Sequence, residues 1–150
     1  MSESSRLPQF HMAGFAGHRR LQVPGMAARS LADALTGLRT EVPGEWIGVS
    51  SAAAGSDLLF ARCVLDLGMP WHALLPLPQV EFQKDFSPDE WRPVESLLAG
   101  AESVTVVGGS AVREEAYLDC GIEIVNACDV LVVLWDGEPA RGRGGTAEVV

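Results

Sequence analysis

Short runs of apolar, largely β-branched residues alternate along this chain with longer stretches whose apolar positions recur at three and four. The first run, Gln9 to Ala13 (QFHMA), passes into Gly14-Phe15-Ala16-Gly17-His18-Arg19-Arg20, which predicts a strand followed by a glycine-bearing loop. Pro24-Gly25 opens a helix with apolar residues at Ala27, Leu31, Ala34, Leu35 and Leu38, the stripe of a helix lying on a sheet. Glu45 to Val49 is the second strand. It runs through Ser50-Ser51-Ala52-Ala53-Ala54-Gly55-Ser56-Asp57 into an apolar helix, Leu58 to Leu67, which Gly68 caps and Pro70 keeps from resuming. Trp71 to Leu75 is a third strand closed by Pro76-Leu77-Pro78. The following QVEFQKDF has no clear period and is expected to pass over the sheet edge. Ser87-Pro88-Asp89-Glu90 marks a helix start, with serine as N-cap, proline first and glutamate placed to bond back. Glu102 to Val107 is the fourth strand, leading to Gly108-Gly109-Ser110. Arg113 to Cys128, with Leu118, Ile122, Val125 and Cys128 as its apolar stripe, is a helix despite Gly121. Val130 to Trp135 has the length and composition of a fully buried fifth strand.

This alternation predicts βαβ units. The expected fold is therefore α/β, Rossmann-like and doubly wound, with a mainly parallel sheet and helices on both faces. Right-handed crossovers put every strand-to-helix loop at one edge of the sheet, where such folds bind ligands. The loops after strands one, two, four and five are the glycine-rich ones. His18, Arg19, Arg20, Arg113, Arg141 and Arg143 fall in or just after them, so the sequence gathers positive charge where freed backbone N–H groups can also meet a phosphate or carboxylate.

Composition narrows the partners. The 150 residues carry a formal net charge of -9, which opposes general attraction to nucleic acid or anionic lipid. Nucleic acid is accordingly not the expected partner. Cys63, Cys120 and Cys128 are scattered among apolar neighbours without zinc or redox spacing, as expected of buried reduced thiols. The sequence shows neither a leader pattern nor an apolar segment approaching the roughly 20 residues of a membrane helix, so a soluble cytoplasmic protein is expected. Residues 1–9 read as a polar tail and 10–150 as one domain. Thr146 opens a helix that should continue past Val150, which predicts either a shortened C-terminus or completion by a partner chain. An open sheet edge beyond strand five would be a pairing surface for a homodimer.

Several chemistries are disfavoured by absent motifs. There is no phosphate-binding G-x-x-x-x-G-K-[ST], no G-x-G-x-x-G after the first strand, no acidic residue directly ending strand two, no G-x-S-x-G and no metal-ligand cluster. Neither a metal nor a cofactor is expected. The motif that remains is Gly144-Gly145-Thr146-Ala147-Glu148.

The segments AGFAGHRRL, SSAAAGSD, LPLP, KDF and CDVLVVLWDGEPARGRGGTAE, in this order between Phe10 and Val150, resemble the Rossmann-like SLOG superfamily. That superfamily includes LOG-type phosphoribohydrolases and DNA-processing proteins of the DprA kind. The likeness is greatest to bacterial members with a GHR loop and a WDG…GGTA loop. The resemblance implies binding of a nucleotide or nucleotide-derived phosphorylated ligand above the sheet. Gly144, Gly145 and Thr146 would contact phosphate; Ser51, Gly55, Ser56 and Asp57 would line the opposite wall; Gly14 and Gly17 would let the first loop approach closely. In the LOG-type enzymes a PGG-x-GT-x-x-E loop supplies a glutamate and an upstream arginine assists N-glycosidic cleavage of a nucleoside monophosphate. Glu148 matches the glutamate and Arg113 is the candidate arginine, although WDGEPARGR replaces the proline and first glycine pair.

His18 and Arg19 are candidate anion contacts, Trp135 a candidate base-stacking residue and Asp136 its neighbour at the site. Glu148 is equally explained as an acidic residue in a helix's first turn. His11 and His72 are expected to be packed, hydrogen-bonded histidines in strands. Three functions follow: a ligand-binding or sensor domain, a nucleoside-monophosphate phosphoribohydrolase using Glu148, and DprA-like DNA binding, which the acidic balance opposes.

Overall fold

The computed structural model describes residues 9–17, 24–107 and 111–134. They form β1 (Phe10–Gly17), α1 (Pro24–Glu41), β2 (Glu45–Ser50), α2 (Ser56–Asp66), β3 (Trp71–Leu75), α3 (Gln79–Gln83), α4 (Pro88–Ala99), β4 (Ser103–Val106), α5 (Arg113–Ala127) and β5 (Val130–Leu134). The sheet order is β4-β3-β2-β1-β5, and all four pairings are parallel. The chain steps outward from β1 to β4, then returns to the far side of β1. With right-handed crossovers, that reversal puts α5 on the face opposite α1, α2 and α4.

Side-chain alternation along the strands sorts the core into two layers. Ala13 and Phe15 of β1, Trp46 of β2, and Trp71, Ala73 and Leu75 of β3 point to the layer under α1, α2 and α4, where they meet Leu31, Leu35, Phe60, Val64, Trp91 and Val94. The opposite layer is thinner: Val49, Cys120 and Ile124 are buried there, flanked by Met12, Ile47, Leu74, Val107 and Leu131. Helix ends follow the sequence. Ser87 and Glu90 form a reciprocal capping box, with Glu90 N–H donating to Ser87 Oγ at 3.2 Å and Ser87 N–H to Glu90 Oε1 at 2.9 Å. Past α2, Gly68 takes φ 74°, and the Met69 and Gly68 N–H groups return to the Val64 and Leu65 carbonyls, both at 3.0 Å.

Four expectations are corrected. Strand β1 does not end at Ala13 but continues through the glycines to Gly17, because those glycines admit helices against the sheet. A Cβ on Gly14 would stand 2.8 Å from Cys128 Cβ and 3.2 Å from Ile124 Cγ2. The buried residues of α5 are Ala116, Cys120 and Ile124, while Ile122 is exposed; the stripe that faces the sheet is a different one from that expected. Among the described residues strand β5 is an edge strand, half-buried rather than fully buried. The stretch QVEFQKDF contains the short helix α3, whose Phe82 is fully buried and packs against Phe86, Trp91 and Tyr117.

The strand histidines divide. His11 Nε2 lies 2.9 Å from the Pro43 carbonyl and its ring packs on Trp46 at 4.8 Å. His72 is packed, but its buried Nε2 has no hydrogen-bond partner; Glu102 Oε1 approaches to 3.5 Å, beyond hydrogen-bonding geometry. The three cysteines are free thiols. Among the described residues no helix is long and apolar enough to cross a membrane.

Gly48 in β2 faces Val64, and a Cβ there would meet Val64 Cγ2 at 2.5 Å. Gly48→Ala is expected to destabilise the fold by about 1–3 kcal/mol through overpacking. Urea denaturation checks this, and Gly48→Ala combined with Val64→Ala should lose less than the sum of the two single changes.

Candidate functional site

The strand order reverses between β1 and β5, the position at which open α/β sheets form a crevice at the C-terminal ends of their strands, and Gly17 pairs there with Leu134. What borders it is set by the packing of Gly17. A side chain at this position would collide with the Ser56 hydroxyl and come within 2.6 Å of the Phe15 ring. Phe15 in turn stacks on Phe60 of α2 at 4.8 Å. The end of β1 therefore lies directly on the first residue of α2, which sets the start of that helix beside the C-terminal end of β1.

The loop after β2 is pinned from below. Ser50, fully buried, donates its hydroxyl to the Ser51 carbonyl at 2.8 Å and accepts the Trp71 indole N–H at 3.0 Å. Asp57 Oδ2 accepts the Ala53 N–H at 3.1 Å, closing the turn. Gly55 precedes α2 with φ 89° and ψ -123°, a backbone conformation in which L side chains are strained. As a glycine it also brings no side-chain oxygen to cap the helix, and the N-terminal end of α2 points to the crevice edge.

Helix α5 meets this loop from the other face. The Cys120 thiol donates to the Leu74 carbonyl at 3.3 Å and hydrogen-bonds with the Ser51 side chain. Burial pushes the thiol up to about 12, the Asp57 carboxylate adds to the rise, and the Ser51 contact opposes it. Ser51, Gly55, Ser56, Asp57 and Gly17 are thus brought to one edge. Gly14 is elsewhere: it lies in mid-strand, opposite Val49 and Leu131, with Cys128 and Ile124 over it.

Arg113 begins α5 on the same edge of the sheet, nearer β3. Its guanidinium donates to Asp85 Oδ2 at 2.9 Å and lies 3.3 Å from Glu81 Oε2, while the Tyr117 hydroxyl donates to the same Asp85 oxygen. Lys84 and Arg113 hold the exposed Glu81 carboxyl below its usual range, Lys84 having the larger effect. The clasp of Glu81, Asp85 and Tyr117 around Arg113 had no counterpart in the sequence reading. The Phe82/Phe86 pair at helical spacing was the available signal. His18, Arg19, Trp135, Asp136, Gly144, Gly145, Thr146 and Glu148 lie outside the described residues, as do Arg20, Arg141 and Arg143.

No protein-family model matches the chain, and no curated protein matches it. Among solved structures it is similar to DNA processing protein A (DprA) from Streptococcus pneumoniae, with a TM-score of 0.64 and 19% identity over 93% of this chain and 45% of that one. The fold is Rossmann-like. The chain spans less than half the length of DprA, and the likeness at this identity concerns the architecture: a parallel sheet whose strand order reverses beside the crevice.

Two outcomes test this geometry. Folded Cys120 titrates at about 12, whereas a free thiol does so near about 8.5. Its contribution to stability is therefore fully present below the free-thiol value and is lost as pH rises toward the folded one. Thiol labelling at pH 8 with peptide mapping should find Cys120 protected until the protein unfolds; prompt labelling would mean that α5 does not stay on the Ser51 loop. Asp85→Ala removes the acceptor shared by Arg113 and Tyr117 and should cost about 1–3 kcal/mol in denaturant unfolding.

Proposed function

We propose that the chain binds a nucleotide or nucleotide-derived phosphorylated ligand at the C-terminal edge of its parallel sheet and acts as a ligand-binding or sensor domain. The observation that carries this reading is the junction of Gly17 with Ser56, which sets the end of β1 against the start of α2 beside the strand-order reversal. A helix N-terminus stabilises negative charge, and α2 directs its own toward that junction behind Gly55. Asp57 is suited to a hydroxyl or amine donor, not to phosphate, because like charges repel. In this reading the ligand's sugar or base meets Asp57, and its phosphate meets the Gly144-Gly145-Thr146 loop and the basic residues His18 and Arg19. Trp135 and Asp136 would flank the base.

Binding is favoured over phosphoribohydrolase activity by the state of Arg113. Two carboxylates already neutralise it, so stabilising charge in a cleavage transition state would require it to leave both partners. Glu148 is the residue on which that second reading rests. DNA binding enters as a third reading because the similar solved structure is named as a DNA processing protein; the formal net charge of -9 opposes it.

Native mass spectrometry after incubation with nucleoside monophosphates, cyclic nucleotides and ADP-ribose derivatives separates the three. The expected result is an intact nucleotide retained without turnover, with Gly55→Val weakening retention about tenfold or more, equivalent to about 1.4 kcal/mol. Release of free base that disappears in Glu148→Gln would replace the sensor reading by the enzyme. Salt-sensitive retention of single-stranded DNA, with no nucleotide bound, would replace both.

A further inference from the structure

Among the described residues, strand β4 is left open in three directions. It is an edge of the sheet, and its four residues, Ser-Val-Thr-Val, include no charge, proline or bulge of the kind that blocks pairing at natural edges. On the α4 side, Val104 and Val106 are 42% and 48% exposed. On the α5 side a groove of about 390 Å³ runs beside the strand, floored by Met12, Val49 and Leu74 and bordered by His72, Thr105 and Glu123. The charged groups beside the groove are acidic. His72 Nε2 is buried without a hydrogen bond, Glu102 stands 3.5 Å from it, and Glu123 is exposed at the rim. Among the described residues no lysine or arginine lines the groove.

We propose that the β4 edge is a docking site for an extended segment of a partner protein in which apolar residues alternate with lysine or arginine. The specificity comes from the pleat of β4 itself. A strand added beside it sends successive side chains to opposite faces. Those on the α4 side meet Val104 and Val106 and are matched by apolar residues. Those on the α5 side enter the groove, where a lysine or arginine stem lies on Met12 and Leu74 and its charged head reaches Glu102 and Glu123. Main-chain hydrogen bonds to the open edge supply affinity that does not depend on side chains. Acidic borders disfavour a nucleic-acid occupant at this edge.

The test uses fluorescence anisotropy of a fluorescein-labelled peptide, Gly-Val-Lys-Val-Lys-Val-Lys-Gly, titrated with the whole chain, and of a counterpart with glutamate at every lysine. The lysine peptide should bind saturably and more weakly at high salt, and the glutamate peptide should not bind. Glu123→Lys should weaken binding about tenfold and Thr105→Pro by at least as much, whereas Glu41→Lys on α1 should leave it unchanged. Val106→Glu, a change at an exposed position, repeats the edge test should Thr105→Pro fail to fold. Equal binding of the two peptides, indifference to Glu123→Lys and Val106→Glu, or the same loss from Glu41→Lys would overturn the proposal. So would a dimer in size-exclusion chromatography with light scattering that Val106→Glu converts to monomer, since the edge would then belong to a second copy.

Discussion

Helices press on the central strands of this sheet from both sides, and the contact distances leave no room for a side chain at three glycines. Cys128 and Ile124 fill the space over Gly14 from the α5 face, Ser56 and Phe15 fill it at Gly17, and Val64 fills it at Gly48 from the α2 face. Interiors packed to crystal-like density transmit such contacts. The height of α2 above the sheet, set at Gly48 and Gly17, determines where the loop after β2 emerges. The height of α5, set at Gly14, determines whether Cys120 reaches Ser51. The position of the loop after β2 at the sheet edge is thus a consequence of close packing beneath it, before any ligand is considered.

The parts of this architecture legible in the sequence are those governed by local rules. The capping box at Ser87, the glycine stop at Gly68 and the proline-bounded β3 each follow from a few adjacent residues. The crossover rule then carries the loops to one edge without further information. The misread elements depend on partners far along the chain. Gly14 and Gly17 look like turn residues until α5 and α2 are placed over them. Cys120 looks weaker than Ile122 as a core position until the sheet selects a different face of α5. The site shows the same division: Ser51 to Asp57 could be gathered from sequence, but the neutralisation of Arg113 by residues 28 and 32 positions away could not.

Charge is distributed unevenly over this acidic chain. Arg29, Arg39, Arg62 and Arg92 lie on α1, α2 and α4, whereas α5 carries Glu114, Glu115, Asp119 and Glu123 against the single, already paired Arg113. Those three helices also carry seven acidic residues, so α5 alone is as negative as α1, α2 and α4 together, and at the outer margin of its face His72 and the β4 edge are left uncovered among the described residues. A thin apolar layer under an acidic helix buries less than the opposite layer, so this half of the molecule has more to gain from a partner.

Helix α5 links several of the features that bear on function among the described residues. Its first turn is clasped by Asp85 and Glu81, its middle touches Ser51 through Cys120, its end stands over Gly14 through Ile124, and its outer side carries Glu123 into the groove beside β4. A rigid helix cannot shift at one of these contacts and remain in place at the others. The Arg113 clasp, which places two carboxylates and a tyrosine around one guanidinium at the exposed end of the helix, accordingly fixes the geometry of both the crevice wall and the docking edge.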